Sequence, residues 1–244
     1  MTTVIDAVVV AIPAHNEAAT LPETLRTLRQ AQERCRRDLP IAPPLTLVVA
    51  ADSCTDTSRA VAESLGAEVV EIAERSAGGA RAAAVSRGLD SCGAPVEATW
   101  IATTDADCRV HPSWLVHQLT CARRNWQCVL GTVRLSATPP VKPAVRALHD
   151  AHYFAGRTGP RWHHPHVHGA NFGIRADTYL RAGGFPTVPH GEDRALVDAL
   201  PPRTRILRTD ACPVMTSGRT THRAPHGFGA FLHRLDQDHP KAER

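Results

Sequence analysis

The first half of the chain alternates between two kinds of hydrophobic pattern. Short uninterrupted apolar runs, such as residues 8–12, are typical of parallel strands that are covered on both faces. Between these runs, apolar residues recur every three or four positions, which is the spacing of an amphipathic helix. Strands are predicted at 8–12, 45–51, 68–72 and 98–104. Because helical stretches follow the first three, we expect an α/β fold with a doubly wound, mainly parallel sheet and helices on both faces.

The helices of this half follow from the same spacing. Leu21, Leu25 and Leu28 define the first helix, which should end before Pro40. Asn16 is its predicted N-cap, because an Asn side chain can accept a hydrogen bond from a free amide of the first turn. The other two helices are expected from the polar residues 52–58 to about residue 65, and from 78–81 onward.

The second half of the chain, residues 108–244, is less regular. Helices are predicted at 112–124, 141–154, 177–182, 190–200 and 226–235. Strands are predicted at 129–135, 169–175, 205–207 and 212–216, with 169–175 at an edge of the sheet. No internal repeat or Ser/Gly linker separates this half from residues 1–107, so we expect a single domain with two functional halves.

Polar clusters follow three of the predicted strands. They are residues 13–17 after the first strand, 52–56 after the second and 105–107 after the fourth. Ligands of open α/β sheets bind outside the carboxyl ends of the strands. The three clusters therefore predict one ligand crevice along this edge of the sheet.

Asp105 and Asp107 form an acidic pair directly after the fourth strand. Side chains alternate along an extended chain, so the two carboxylates can point the same way. Their mutual repulsion is removed by a divalent cation, and carboxylates together with substrate phosphates are ligands that Mg²⁺ or Mn²⁺ takes. A solvated turn, in which Asp is common, is the alternative.

Composition narrows the class of protein. The 244 residues are 43% hydrophobic, and a formal net charge of +4, carried almost wholly by arginine, suits an anionic ligand. No basic run interleaved with aromatic residues predicts a nucleic-acid partner. Seven scattered cysteines without a C-x-x-C pair indicate free thiols in a reducing cytoplasm. The longest apolar run, residues 7–12, is too short to cross a membrane, and no signal peptide is visible.

A histidine-rich stretch lies between residues 149 and 168. His163, His166 and His168 could converge on a metal ion. Pro165 argues against the helix that would fix such ligands, so we favour an acceptor-binding loop. A solvated loop is the remaining alternative.

Four motifs, in order over roughly residues 5–200, resemble those of the family-2 glycosyltransferases of the GT-A fold. Residues 13–17 resemble the P-x-x-N-E motif, 51–56 the D-D-x-S-x-D motif with Ala51 in place of its first Asp, 105–107 the D-x-D motif, and 191–193 the downstream E-D motif. The resemblance implies an inverting, metal-dependent hexosyltransferase that uses a UDP- or GDP-sugar, with Mg²⁺ or Mn²⁺. Because Ala51 replaces the first Asp of the second motif, the resemblance does not determine which nucleotide the donor carries.

The resemblance also implies roles on the donor side. Glu17 and Asp52 would hold the nucleobase beside the backbone of Pro13 and Ala14, and His15 belongs to the same motif. Arg81 would lie near the base or the diphosphate. Asp105, with Ala106 between the two carboxylates, would contact the ribose or the metal, and Asp107 the metal and the diphosphate.

On the acceptor side, the resemblance makes Asp193 the general base, and Glu192 would help to place the acceptor. Asn171, in a G-x-N stretch, would line the sugar and acceptor pocket. His222 is a candidate further metal ligand, although Arg219 and Arg223 could clamp the diphosphate without it. The chain lacks the Q-x-x-R-W run and the membrane helices of processive synthases, which favours transfer of one sugar to a small-molecule, lipid or glycan acceptor.

Each assignment has a simpler alternative. Asp52, Asp56 and Asp193 could cap helices, which we favour for Asp56, and Glu17 could complement a helix dipole. Arg81 could face solvent. A nucleotidyltransferase usually has a Gly-rich, basic loop where this chain has residues 13–17. A non-catalytic binding module would be expected to have lost an acidic position among Asp105, Asp107 and Asp193, and none is lost.

Overall fold

A computed structural model describes residues 4–137, 141–159 and 162–218, together with Gln237. Seven strands form one sheet: β1 (Ala7–Ala14), β2 (Leu45–Asp52), β3 (Glu68–Ile72), β4 (Thr99–Thr103), β5 (Cys128–Leu135), β6 (Phe172–Arg175) and β7 (Ile206–Thr216). Their order is β3-β2-β1-β4-β6-β5-β7. Neighbouring strands are parallel except for β6, which runs antiparallel to both β4 and β5. The predicted mainly parallel α/β fold is confirmed.

Seven helices accompany the described part of the sheet. They are α1 (Leu21–Asp38), α2 (Ser58–Ser64), α3 (Ala77–Cys92), α4 (Trp114–Arg123), α5 (Pro143–Tyr153), α6 (Ala176–Arg181) and α7 (Glu192–Asp198). Short 3₁₀ turns at Val96–Ala98 and Gly169–Asn171 precede β4 and β6. Within the described ranges, none of the helices is long and apolar enough to span a membrane. The predicted helix at 226–235 lies outside them, and the cytoplasmic location stays a prediction.

Two apolar clusters cover the two faces of the sheet, and β1 supplies both. Val8, Val10 and Ile12 belong to the cluster that contains the leucines of α1 and Trp114 of α4. Ala11 belongs to the opposite cluster, with Ala80, Ala84 and Val85 of α3. Alternate residues of one strand are therefore buried on opposite faces, which explains the uninterrupted apolar run at this position.

The predicted start of the first helix is wrong. Helix α1 begins at Leu21 after Thr20, with Pro22 in its first turn. Asn16 instead has a φ of 55° and its Oδ1 accepts hydrogen bonds from the amides of Thr55 (2.8 Å) and Asp56 (3.2 Å). Asn tolerates this left-handed conformation better than most residues, so Asn16 serves the loop after β2 and not the helix.

Two predictions about the second half of the sheet are also corrected. Residues 172–175 lie inside the sheet, between β4 and β5, so this strand is not at an edge. The two strands predicted at 205–207 and 212–216 are one strand, β7. It pairs with β5 in two blocks of register, with an irregularity between Gly131 and Val133.

Helix α3 lies close to the sheet at Gly88. A Cβ atom added there would lie 2.3 Å from Cγ1 of Val9 and 3.3 Å from Cγ2 of Val48. Gly88→Ala should therefore destabilise the fold by about 1 kcal/mol or more, although Ala is the better helix former. Denaturant unfolding measures this change. Ser86→Ala, at an exposed position of the same helix, should be neutral or slightly stabilising. A Gly88→Ala variant that gains as much stability as Ser86→Ala would contradict the close packing.

Candidate active site

The loops after β1 and β2 are joined at the carboxyl edge of the sheet. Besides the contacts of Asn16, the Glu17 amide donates to Ser58 Oγ (2.7 Å), and the Ala18 amide donates to Asp56 Oδ2 (3.1 Å). Asp56 Oδ1 accepts from the amide of Ser58, the first residue of α2, at 2.9 Å. Asp56 therefore has the helix-capping role that we favoured, and the two loops form one hydrogen-bonded unit.

The residues of the first motif lie on this unit. Pro13 and Ala14 end β1, and His15 Nδ1 forms a hydrogen bond with the backbone oxygen of Asp52 (2.7 Å). The buried Glu17 carboxylate accepts from Thr20 Oγ1 (2.6 Å), just before α1. This contact orients Glu17 at the strand end, and its role toward a nucleobase stays a prediction.

Asp52 holds the segment that leads from β3 into α3. Its buried Oδ1 accepts from the amides of Glu74 (3.0 Å) and Arg75 (2.8 Å) and from Ser53 Oγ (3.0 Å), and its Oδ2 accepts from the Ser76 amide (2.8 Å). Arg75 has a φ of 50°, which is a left-handed conformation that costs an arginine free energy. Such a conformation persists only where surrounding contacts hold it in place. The carboxylate of Asp52 therefore shapes the edge of the crevice, and binding of a base by Asp52 stays a prediction.

Arg81 lies at the centre of the site. Only 5% of it is exposed, so the solvent-facing alternative is wrong. Its Nη2 donates to Asp105 Oδ1 (2.6 Å), and its Nη1 donates to Glu192 Oε1. Burial disfavours the charged guanidinium, but the carboxylates of Asp105, Glu192 and Asp193 outweigh burial and raise the pKa of Arg81. One buried cation thus joins acidic residues from the two halves of the chain.

Two glycines make room for this arrangement. A Cβ atom at Gly169 would lie 2.4 Å from Cζ of Arg81. A Cβ atom at Gly78 would lie 2.1 Å from the backbone oxygen of Pro186 and 3.0 Å from Cβ of Glu192. Sequence reasoning missed the role of both glycines. For Gly78, the available signal was a glycine within an otherwise Ala-rich helix, because glycine is a poorer helix former than alanine.

Asp193 lies next to the ion pair. Its Oδ2 accepts from the Gly169 amide (2.9 Å) and its Oδ1 from the Arg194 amide (2.7 Å). Burial raises the pKa of Asp193, with Glu192 adding to the rise, and both outweigh Arg81 and the two amides. Asp193 is therefore a stronger base than an ordinary aspartate.

The acidic pair can hold a divalent cation. Ligand atoms of Asp105, Asp107 and Cys108 all lie within 4.8 Å of one another. Between the carboxylates, the backbone oxygen of Ala106 accepts from Thr24 Oγ1 of α1 (2.9 Å), which fixes the turn. The carboxylates of Asp105 and Asp107 offer hard oxygen ligands, which fit Mg²⁺ or Mn²⁺, whereas the thiol of Cys108 is a soft ligand that suits neither ion. Cys108 had not been predicted near this site.

Asn171 has an internal role. Its Nδ2 donates to the backbone oxygens of Thr132 (2.8 Å) and Cys212 (3.0 Å), and its Oδ1 accepts from Trp114 Nε1 (2.8 Å). The buried amide thus ties β5, β7 and α4 together. Both amide hydrogens are used inside the protein, and a role of Asn171 in the sugar and acceptor pocket stays a prediction.

The histidine-rich stretch forms a packed stack. His166 lies on the ring of Tyr153, with centroids 3.9 Å apart, and neighbouring rings along His164, His166 and His168 are 5.8–5.9 Å apart. His168 Nε2 shares a hydrogen bond with Tyr153 Oη (3.0 Å), and burial lowers its pKa to about 3. The solvated-loop alternative is therefore wrong for His166 and His168, whereas His163 is exposed. Among the described residues, no histidine belongs to a metal-binding group. The predicted ligand His222 lies outside the described ranges.

Comparisons with known proteins agree with this architecture. Residues 9–180 match the family model described as Glycosyl transferase family 2. The chain is similar to S. aureus TarS 1-349 in complex with UDP-GlcNAc, with a TM-score of 0.65 and 15% identity over 95% of this chain and 65% of that one. It is also similar to the mannosyltransferase PcManGT from Pyrobaculum calidifontis in complex with GDP-Man and Mn²⁺, with a TM-score of 0.59 and 20% identity over 86% and 56% of the two chains.

A third similar structure is mannosyl-3-phosphoglycerate synthase from Rubrobacter xylanophilus, with a TM-score of 0.55 and 19% identity over 95% of this chain and 75% of that one. At such identities these likenesses concern the fold alone. The chain spans only 65% and 56% of the length of the first two structures. No curated protein matches it at a significant level.

The contacts of Asn171 predict a structural phenotype. Asn171→Ala leaves a buried indole N–H and two buried carbonyls without their partner, so unfolding free energy should fall by at least about 2 kcal/mol. Denaturant unfolding measures the loss. Gln30→Ala removes an exposed side-chain amide from α1 and should change stability by less than about 0.5 kcal/mol. If Asn171→Ala were as stable as this control but bound ligand less tightly, Asn171 would belong to the pocket after all.

Proposed function

The chain belongs to glycosyl transferase family 2, and we propose that it transfers one sugar from a UDP- or GDP-sugar to a hydroxyl group of a discrete acceptor, with inversion at the anomeric carbon. One observation carries the proposal. Arg81 joins Asp105, which ends the donor half, to Glu192, which precedes the candidate base Asp193. The groups that would neutralise the donor phosphates and the group that would activate the acceptor are therefore neighbours.

We place the donor against residues 1–107 and the acceptor against residues 108–244. The nucleobase would lie at the ends of β1 and β2, beside Pro13, Ala14, His15, Glu17 and Asp52. Oδ2 of Asp52 accepts one hydrogen bond, from Ser76, and a carboxylate oxygen has a second lone pair for a base N–H. The ribose and diphosphate would follow toward Asp105, Ala106 and Arg81. Mannosyl and N-acetylglucosaminyl nucleotides in similar structures support testing both UDP- and GDP-linked donors.

Asp105 and Asp107 would hold Mg²⁺ or Mn²⁺. When bound, the cation would neutralise the charge that develops on the diphosphate as its bond to the anomeric carbon breaks. The choice of ion rests on the metal-ligating atoms. Two carboxylates with ligand atoms within 4.8 Å of one another match a hard divalent cation. The similar structure of PcManGT is a complex with Mn²⁺, which supports the use of this ion in experiments.

Asp193 would act as the general base. It would accept the proton of the acceptor hydroxyl while the oxygen attacks the anomeric carbon and the bonding electrons leave with the diphosphate oxygen. A single displacement of this kind inverts the anomeric configuration. Its raised pKa favours proton transfer, and Arg81 holds Glu192 in position to orient the acceptor. Membership of this family favours sugar transfer over nucleotidyl transfer, and measured turnover would exclude a non-catalytic binding module.

Divalent cation and donor binding should depend on Asp107. In the wild-type chain, Mn²⁺ should tighten binding of UDP or GDP, as measured by calorimetry with and without the ion. Asp107→Asn should remove this enhancement, because the amide is a neutral and weaker metal ligand. Asp90→Asn, at an exposed position near the far end of α3, is the matched control and should keep it. An Asp107→Asn variant with undiminished Mn²⁺ dependence would disprove the metal assignment.

Asp193→Asn should bind the nucleotide donor nearly normally and transfer sugar about 10²–10⁴-fold more slowly, because the amide cannot accept the proton. In the wild type, the rate should fall as pH falls through the pKa of Asp193. Since that pKa is raised, the loss should begin at a higher pH than for an exposed aspartate. Rates of product formation over a pH series, with donor affinity measured separately, test this. Wild-type turnover by the variant would remove Asp193 from the mechanism, and loss of donor binding would place it in the donor site.

A further inference from the structure

The guanidinium of Arg81 is a charged group that is almost completely buried. It contacts Asp105 and Glu192, which come from different halves of the chain, and it lies against Gly169 where any side chain would overlap it. Burying an arginine costs free energy unless good ionic partners compensate. Here both partners are carboxylates of the proposed active site, so packing alone does not account for the arrangement.

We propose that Arg81 is an internal counter-cation of the carboxylate cluster, and that it competes with a divalent cation for Asp105. The inference rests on the proposed function in that Asp105 and Asp107 are taken as the metal ligands. Arg81 acts through Asp105 and Glu192, so it is a positioning residue in this role.

Competition follows from the shared carboxylate. Asp105 Oδ1 accepts the hydrogen bond from Arg81 Nη2 at 2.6 Å, and the same carboxylate lies within 4.8 Å of the ligand atom of Asp107. A divalent cation held by these two residues therefore carries two positive charges close to the guanidinium. Like charges repel strongly at such separations in a partly desolvated site. Each cation thus weakens the hold of the other on Asp105, and the coupling is reciprocal.

The second partner determines where Arg81 goes when the cation binds. Glu192 is the first residue of α7 and is buried beside Gly78 of α3. As the Asp105 contact weakens, the ionic contact of Arg81 with Glu192 remains. Occupation of the metal site is thereby communicated to the residue that precedes the candidate base. In such an enzyme, binding of the divalent cation on the donor side would help to order the acceptor side of the site.

Two variants should change Mn²⁺ affinity in opposite directions. Arg81→Gln removes the competing charge, so the donor-free protein should bind Mn²⁺ about tenfold more tightly, within the usual range of coupling between sites. Glu192→Gln leaves Arg81 with Asp105 as its ionic partner and should weaken Mn²⁺ binding severalfold. A residue needed only for packing would weaken binding or leave it unchanged when replaced. Binding is measured on the full chain by electron paramagnetic resonance of free Mn²⁺, without nucleotide.

The double variant separates action through Arg81 from a general change in charge. If Glu192 acts through Arg81, Glu192→Gln should have little further effect on Mn²⁺ affinity in the Arg81→Gln background. Arg81→Lys keeps the charge and should return the affinity to near the wild-type value. Arg175→Gln is the matched control, because Arg175 is 18% exposed, pairs with Asp177, and lies at the opposite end of β4 beside Trp100. It should leave Mn²⁺ affinity unchanged.

The outcomes distinguish this inference from the proposed function. If the wild type and Asp107→Asn bind Mn²⁺ equally, or neither binds it, the metal site fails and the inference fails with it. If the wild type binds Mn²⁺ through Asp107 but a folded Arg81→Gln binds it no more tightly, the inference alone is overturned. Thermal unfolding shows whether Arg81→Gln is folded. If it is not, Glu192→Gln decides, since unchanged or tighter Mn²⁺ binding by that variant overturns the inference.

Discussion

Negative charge is concentrated where the parallel strands end, and the rest of the site is arranged around it. Asp105 and Asp107 follow β4, while Glu192 and Asp193 begin α7, and the guanidinium of Arg81 lies between the two pairs. Carboxylates brought this close destabilise a fold unless a cation or hydrogen-bond donors compensate. Arg81, the Gly169 amide and the Arg194 amide supply that compensation. Gly78 and Gly169 are needed because the compensating groups must approach closely.

The fold of the first half could be predicted from the local hydrophobic pattern, because β1, β2 and β4 are buried on both faces and helices separate successive strands along the chain. The second half was harder. β6 is four residues long and lies inside the sheet, but nothing in residues 172–175 distinguishes an inner strand from an edge strand. Its position depends on pairing with β4 and β5, which are distant in sequence. Asn16 misled for a related reason, since its side chain satisfies amides of another loop and not those of the following helix.

For the site, acidic residues after strands were informative because chemistry restricts them. The sequence did not reveal which groups those acidic residues contact. Arg81 on an Ala-rich helix had equal reasons to face solvent or the site, and the pKa of Asp193 depends on burial that helix position alone does not reveal. Asn171 and the histidine stack show the converse. Residue types that suggest ligand binding are used here for internal hydrogen bonding and ring packing.

The inner position of β6 has a consequence for how the chain folds. β4 pairs with β1 on one side, but its other neighbour is β6, whose residues come about seventy positions later. β7 joins β5 later still. Contacts between such distant segments form slowly, because a long loop must close before they are gained. During synthesis, residues 1–107 therefore emerge with one side of β4 unpaired, and Arg81 can pair with Glu192 only after most of the second half of the chain has been made. An incompletely made chain would expose a strand edge prone to aggregation and would have no assembled site.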